Sequence, residues 1–124
     1  MSMVAEISID YIGSCLSVNH YKYRGKFTKP ETKVWMQVLR TKTRRGLRYS
    51  KVKLPPTIHL TGIFKDKRST PDLANLHTVI GDALQDCAPG MENDREFRFV
   101  DEGYTIDKSK EPTLIIGIEV EAAI

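Results

Sequence analysis

The stretch STPDLANLHTVIGDAL, residues 69–84, predicts an amphipathic helix, and this helix decides how the rest of the chain is arranged. Thr70 is a suitable N-cap, and Pro71 suits the first turn. The apolar side chains that recur at helical spacing and form its buried stripe are Leu73, Leu76, Ile80, Ala83 and Leu84. Because Pro89 begins a turn signal, we expect the helix to end near Asp86.

Alternating patterns on both sides of this helix predict the strands of one sheet. Strands are expected at residues 4–11, at residues 57–64, from Phe97 onward, and at residues 114–120. The strand at 57–64 is apolar on both faces, so we place it in the centre of the sheet. An earlier helix is expected to begin with a capping box formed by Thr28 and Glu31 and to stop at Gly46.

The predicted elements follow in the order strand, helix, strand, helix, strand, strand. This order indicates a small α/β or α+β domain with a mixed β-sheet and two main helices. A length of 124 residues fits a single domain spanning residues 1–124. Cys15 and Cys87 show neither metal-ligand spacing nor a disulfide pattern, so we expect free thiols in a reducing compartment. No leader and no long apolar run is evident, so we expect a cytoplasmic protein without a membrane span.

Charge is distributed unevenly along the chain. Residues 1–68 hold fifteen Lys and Arg against four Asp and Glu, a net charge of +11. Residues 69–124 hold four Lys and Arg against twelve Asp and Glu, a net charge of −8. This asymmetry indicates a basic surface for a polyanion and a separate acidic site. The alternative is that the two halves attract each other within the fold.

The acidic half contains two carboxylate clusters that one helix and its return segment can bring together. Asp72 and Asp82 lie about 15 Å apart along the predicted helix, so they cannot share one cation, and Asp82 needs another partner such as a backbone or basic group. A chain that doubles back after the helix could place Asp94, and with it Glu92, beside Asp72. Converging carboxylates suit Mg²⁺, which prefers oxygen ligands and keeps several waters. In the alternative interpretation, Asp72 merely favours the positive end of the helix dipole and Asp94 is an ordinary turn residue.

Four short segments carry a resemblance to a known family. Three of them are acidic motifs: Asp72-Leu-x-Asn75-Leu76, Asp82-Ala83-Leu84 and Asn93-Asp94-Arg95. The fourth places small polar residues before basic and aromatic ones: Ser17-Val18-Asn19-His20-Tyr21-Lys22-Tyr23. In this order and spacing, the chain resembles the RusA-like Holliday junction resolvases over nearly its whole length.

The resemblance implies a homodimer on a mixed α/β sheet, an endodeoxyribonuclease that cleaves four-way DNA junctions in recombination and repair. The cofactor that it implies is Mg²⁺, for which Mn²⁺ can substitute, and the family is common in prophages. By the same resemblance, Asp72 and Asp94 are catalytic, metal-binding carboxylates. Asp82 is a characteristic acidic position that we include with the catalytic group, and Glu92 is the candidate for a further metal ligand.

Three positions depart from the family's pattern. Ala74 stands where a second aspartate is usual, Thr78 where the family has a lysine, and Asn93 where it has the first of two adjacent aspartates. Lys22 or His77 could supply the missing cation or proton-transferring group. An alternative therefore stays open, namely a non-catalytic relative that binds branched or single-stranded DNA through a degenerate metal site. A protein-binding domain with a decayed site is the third interpretation.

The basic half supplies the candidate nucleic-acid contacts. The candidate DNA-binding residues are Asn19, Tyr21, Lys22, Arg24, Lys26 and Lys33. The cations suit phosphate oxygens, and Tyr21 with Tyr23 could stack on an exposed base near a branch point. The basic run of residues 40–53 is either a helix end with a basic loop or a further DNA-facing surface. The alternative to all of these contacts is an ordinary surface of solvated lysines.

Overall fold

The computed structural model describes residues 2–23, 27–48 and 55–120. The strands are β1 (Ser2–Asp10), β2 (Lys22–Tyr23), β3 (Phe27–Thr28), β4 (Thr57–Phe64), β5 (Arg98–Ile106) and β6 (Thr113–Val120). The helices are α1 (Pro30–Gly46) and α2 (His77–Leu84), and short 3₁₀ turns span Ser14–Leu16, Leu73–Leu76 and Asp94–Glu96. The predicted order of the main elements is confirmed, with the β2–β3 hairpin added before α1.

β4 lies inside a mixed sheet whose strand order is β1-β6-β4-β5. It runs parallel to β5 and antiparallel to β6, and β6 is antiparallel to β1. The central position predicted from its apolar pattern is therefore confirmed. Ile58, Leu60 and Phe64 on one face of β4 are buried, whereas the intervening side chains are only half-buried. The chain thus forms the α+β domain on a mixed sheet that the sequence predicts.

Both helices share one hydrophobic core with the sheet. α1 packs against α2 and against β1. The side chains that α1 buries are Thr32, Trp35, Leu39 and Thr43. The apolar stripe predicted for the second helix is confirmed, because these side chains are all buried: Leu73, Leu76, Ile80, Ala83 and Leu84. No helix within the described ranges is long and apolar enough to cross a membrane.

Both helix starts differ from the prediction. Lys29 precedes α1 without a side-chain capping bond, and Pro30 occupies the first helical position. The proline sets this start, because its ring fixes φ and it has no N–H to satisfy. Thr28 pairs in the β2–β3 hairpin instead, so the predicted capping box is wrong. Before α2, Asp72 rather than Thr70 caps the helical segment, since its carboxylate accepts a backbone amide hydrogen bond.

Two side chains of α1 bind the backbone of β1. Trp35 Nε1 donates to the Asp10 carbonyl at 2.7 Å, and Lys42 Nζ donates to the Ser8 carbonyl at 2.8 Å. β1 is an edge strand of the sheet. These bonds therefore occupy backbone carbonyls of a strand that has a neighbour on one side only.

Arg40 joins α1 to the C-terminal end of α2. Its guanidinium donates to the carbonyl oxygens of Asp82 and Ala83, at 3.0 and 3.1 Å. A cation at this end of a helix also complements the partial negative charge of the last carbonyls. Arg40 also belongs to the basic run predicted over residues 40–53. α1 includes residues 40–46 of this run, and residues 49–54 lie outside the described part of the chain.

Cys15 is half-buried and Cys87 is buried, and both are free thiols, as the sequence predicts. Burial raises the pKa of the Cys87 thiol, while the nearby charges of Arg40 and Arg44 act in the opposite direction. Because the thiolate is the reactive form of cysteine, Cys87 is not set up to act as a nucleophile.

His59 connects three strands on the more exposed face of the sheet. Its Nε2 lies 2.8 Å from Oε1 of Glu119 on β6, and its Nδ1 lies 2.5 Å from Oε1 of Glu102 on β5. Both ring nitrogens must donate if both carboxylates are to be satisfied, and this requires the imidazolium form. The hydrogen bond with Glu119 is the largest cause of a raised His59 pKa, and it outweighs the opposing effect of burial.

We expect the stability contributed by His59 to be fully present below about pH 6.5, the ordinary histidine value, and to be lost as the pH rises through the raised pKa. The difference in unfolding free energy between the wild-type protein and His59→Gln should therefore shrink as the pH rises. Urea titrations between about pH 5 and pH 9 measure this difference. Glu119→Gln should weaken the pH dependence, and an equal pH dependence in wild type and His59→Gln would contradict the expectation.

Candidate metal and nucleic-acid site

The chain turns back directly after α2 and packs against it. Asp86 has a left-handed backbone with φ 63°, and its amide donates to the Met91 carbonyl at 2.8 Å. The 3₁₀ turn that begins at Asp94 contacts α2. There the Asp94 side chain lies against Gly81, since a Cβ at Gly81 would be 3.4 Å from Asp94 Oδ2. The predicted fold-back therefore exists, and it brings the Asp94 side chain into contact with α2 at Gly81.

Asp82 and Asp94 both act on the phenol of Tyr21. Tyr21 Oη donates a hydrogen bond to Asp82 Oδ2 at 2.9 Å, and only 4% of the tyrosine is exposed. The pKa of Tyr21 is raised, first by burial, then by its hydrogen bond with Asp82 and by the charges of Asp82 and Asp94. Asp82 thus lies at this buried hydroxyl, and Asp94 packs against the neighbouring Gly81, beside the C-terminal half of α2. The partner that the sequence requires for Asp82 is this hydroxyl rather than a backbone or basic group.

Asp72 lies at the other end of the same helical segment. It caps the 3₁₀ turn before α2, and it is about 15 Å of helical rise away from Gly81. The return segment passes Asp94 beside Gly81 and reaches the start of α2 only later, where Asp101 pairs with His77 at 2.7 Å. Asp94 meets the C-terminal half of α2 rather than its start because the tight turn after α2 reverses the chain shortly before Asp94. Asp94 therefore lies beside Gly81 and not beside Asp72, which differs from the expectation.

Glu92 folds back onto its own loop. Its Oε1 accepts a hydrogen bond from the Gly90 amide at 3.0 Å, and its carbonyl accepts one from Gln85 Nε2 at 2.9 Å. The bond from Gly90 is the main cause of a lowered pKa of Glu92. Over residues 2–23, 27–48 and 55–120, no group of three or more His, Cys, Asp or Glu side chains is arranged to hold a metal ion. A role for Glu92 as a further ligand stays a prediction.

His77 is held against β5. Its Nε2 lies 2.7 Å from Oδ1 of Asp101, and its ring stacks on Phe99 with centroids 4.3 Å apart and planes 13° apart. Both contacts fix the imidazole. Because Nε2 is bonded to Asp101, a proton transfer by His77 would use its other ring nitrogen, Nδ1. Ala74 and Thr78, which stand at two of the family's functional positions, are exposed nearby on the same helical segment.

The candidate DNA-binding residues differ in their exposure to solvent, and some of them lie outside the described part of the chain. The exposed candidates are Asn19, Lys22 and Lys33. Tyr21 is buried, with Lys22 Nζ 5.2 Å from its ring centre, so the expectation that this ring stacks on a base is corrected. Outside the described residues lie Arg24, Lys26 and the side chain of Tyr23.

Two contributors to the site were not predicted. Gly81 is the position of α2 against which the Asp94 side chain packs, and the sequence carried a signal for it, because a glycine inside a helical pattern often marks a packing contact. Arg40 binds the end of α2, and nothing in the sequence distinguishes it from the other cations of its run.

Replacing Tyr21 by phenylalanine should lower the free energy of unfolding by about 1–3 kcal/mol, because the buried ring stays while its hydrogen bond to a carboxylate is lost. Urea denaturation measures the change. Tyr104→Phe is the matched control, since Tyr104 is 47% exposed, and it should change stability by less than about 0.5 kcal/mol. If Tyr21→Phe proves as stable as the wild type, the bond contributes nothing to the fold.

No protein-family model matches the chain. A search of curated proteins finds no match either. The likeness to the RusA-like resolvases therefore rests on the motifs quoted above, and the activity that it implies is a proposal.

Proposed function

We propose that this protein is a Mg²⁺-dependent endonuclease that cleaves four-way or other branched DNA and acts as a homodimer. The observation that supports this most is that Asp94 packs against Gly81, the residue before Asp82, whose carboxylate accepts a hydrogen bond from the buried hydroxyl of Tyr21. A helix and its return segment thereby hold two carboxylates beside the same part of α2. The RusA-like motifs include both residues among the family's acidic positions. A two-fold symmetric dimer would suit the symmetry of a four-way junction.

The residues present fit a magnesium ion. Mg²⁺ binds proteins through one or two carboxylates and keeps several water molecules. Asp82 and Asp94 are half-buried and supply such oxygens. Asp72, which the resemblance implies as a metal ligand, lies at the other end of the helical segment and would not share this ion. When bound, the cation would activate water and neutralise charge on a phosphodiester.

The protein's own groups orient these acids. Tyr21 donates to one oxygen of Asp82, so that carboxylate has a fixed direction. Asp94 is positioned by its packing against Gly81. Arg40 donates to two of the last carbonyls of α2 and so holds the end of this helix. The same helix contains Asp82, which binds Tyr21, and Gly81, which contacts Asp94. The acids would therefore need little rearrangement to receive a cation.

Positive charge beside α2 supports a polyanionic substrate. α1 packs against α2 and contains one acid, Glu31, against five cations. The cations are Lys33, Arg40, Lys42, Arg44 and Arg45, of which Arg40 and Lys42 already donate to backbone carbonyls within the domain. Each phosphate that such cations neutralise releases counterions, so junction binding should weaken steeply as the salt concentration rises.

Two positions favour a second candidate function, the binding of branched or single-stranded DNA without cleavage. Ala74 and Thr78 stand where the family has an aspartate and a lysine. Loss of a ligand and of a cationic stabiliser would weaken metal binding and the stabilisation of the transition state, while leaving the basic surface intact.

A synthetic four-way junction distinguishes the two candidates. With Mg²⁺ or Mn²⁺, the wild-type protein should introduce paired nicks, and Asp94→Asn should slow them by about 10²-fold or more, because a negative charge at the site is lost. Mn²⁺ binding at equilibrium should weaken in the same variant. Glu111→Gln is the matched control, because Glu111 is an exposed acid that pairs with Lys65, and it should keep full activity.

Each outcome has a distinct meaning. Salt-sensitive junction binding without nicks would support the binding function. Nicks that are as fast in Asp94→Asn as in the wild type would overturn the assignment of this acid to the site. Absence of salt-sensitive binding would overturn both candidates and leave a protein-binding domain.

A further inference from the structure

His77 and Asp101 form a pair of the kind in which an acid orients a histidine. Nε2 of the imidazole lies 2.7 Å from Oδ1 of Asp101, and the ring stacks on Phe99 with the two planes only 13° apart. These two contacts come from different directions, so together they fix both the position and the tilt of the ring. Neither His77 nor Asp101 belongs to the candidate metal site.

Asp101 also decides which nitrogen of the imidazole is free. An ionised carboxylate only accepts hydrogen bonds, so the bond with Asp101 places a proton on Nε2. In the neutral ring the other nitrogen, Nδ1, then has an available lone pair. Within residues 2–23, 27–48 and 55–120, no hydrogen bond engages Nδ1. The His77 side chain is 29% exposed, so water reaches this oriented proton acceptor.

His59 has the opposite arrangement of partners. Both of its ring nitrogens lie within hydrogen-bond distance of a carboxylate, one from Glu102 and one from Glu119. Each nitrogen of His59 therefore donates a proton, and neither is left to accept one. The pairing of His77 with a single carboxylate is thus a particular feature of this histidine.

His77 borders the candidate metal site. It precedes Gly81 by four residues, so the two positions lie on the same side of α2, about 6 Å apart. The Asp94 side chain packs against Gly81. Because the Cα–Cβ bonds of a helix tilt toward its N-terminus, a side chain that meets the Cβ position of Gly81 lies over the turn that begins at His77. The imidazole and the Asp94 carboxylate therefore lie along one turn of α2.

We propose that His77 is the proton acceptor in the cleavage of the phosphodiester and that Asp101 is the positioning residue that orients it; this inference rests on the proposed nuclease function. A water molecule attacks phosphorus and gives one proton to Nδ1 of His77 as the new P–O bond forms. The bond from phosphorus to the leaving sugar oxygen breaks, and this oxygen takes the proton from the imidazolium. The products are a phosphomonoester and a sugar hydroxyl, and the imidazole is neutral again.

The structure favours His77 over Lys22, the other residue that the sequence offers for proton transfer. A lysine ammonium has three donors and no lone pair, so it accepts no proton. The Lys22 ammonium lies 5.2 Å from the ring centre of Tyr21. The imidazole is instead held by a carboxylate at one nitrogen and has the second nitrogen available. This is the arrangement that general-base catalysis by histidine requires.

Glutamine at position 77 separates proton transfer from structural support. The amide nitrogen of glutamine reaches about as far as Nε2, so His77→Gln keeps a donor for Asp101 but has no nitrogen that accepts a proton. In single-turnover cleavage of a four-way junction with Mg²⁺ at about pH 8, where ordinary histidines are neutral, the rate should fall by about 10²–10⁴-fold. Junction affinity without a divalent cation should not change, because the phosphate contacts remain.

Chemical rescue distinguishes proton transfer from a structural effect. His77→Ala leaves a space beside Phe99 that free imidazole fits, so added imidazole should restore part of the lost cleavage rate and saturate. Asp101→Asn should lower the rate by about 10²-fold or more without weakening junction binding, because the amide no longer fixes the tautomer.

Nitrogen-15 NMR of the metal-free wild-type protein gives a readout that needs neither cleavage nor a variant. At about pH 8, the imidazole of His77 should carry its proton on Nε2 and none on Nδ1. In Asp101→Asn, the two tautomers should be mixed. A proton on Nδ1 in the wild type would overturn the proposal, even if every variant at position 77 failed to fold.

His59→Gln is the matched control, since it removes a histidine that has no free nitrogen, and it should cleave at the wild-type rate. Cleavage by His77→Gln at the wild-type rate, with Asp94→Asn inactive, would overturn the role of His77 and leave the nuclease function standing. A wild-type protein that cleaves no junction would overturn both. Failure of imidazole to rescue a folded His77→Ala would also count against proton transfer.

Discussion

The hydrogen bond between Tyr21 and Asp82 is the interaction on which the candidate site depends. It joins the segment between β1 and α1 to the second helix, across 61 residues of the chain. Its donor is buried, so water cannot replace it without opening the core. Arg40 fixes the same end of α2 from the first helix. The acids are therefore positioned by the packed interior of the domain and not by a surface loop alone.

The main elements of the fold could be predicted because hydrophobic periodicity reports burial, and burial largely decides secondary structure. The central position of β4 follows from its apolar residues alone. The helix starts could not be predicted as well, because several residues in each segment are able to cap a helix. At Thr28 the pairing of the β2–β3 hairpin and the ring of Pro30 decided the outcome, and at Thr70 the carboxylate of Asp72 did.

The candidate site was harder to predict than the fold, because it depends on the point at which a return segment meets a helix. Chain length allows Asp94 to reach any part of α2, and the left-handed turn at Asp86 decides that it meets Gly81. Tyr21 presents a similar ambiguity. An aromatic residue among cations is compatible both with stacking on a nucleotide and with burial, and only tertiary packing distinguishes them.

The contacts of α1 with β1 have a consequence for the behaviour of the sheet in a crowded solution. Trp35 and Lys42 engage carbonyls of this edge strand, and the indole is almost completely buried. A foreign strand that adds to this edge must compete with both side chains, and removing the indole would open the core. Edge strands are otherwise templates for amyloid-like growth. Through these two bonds, α1 hinders the addition of further strands to the β1 edge of the sheet.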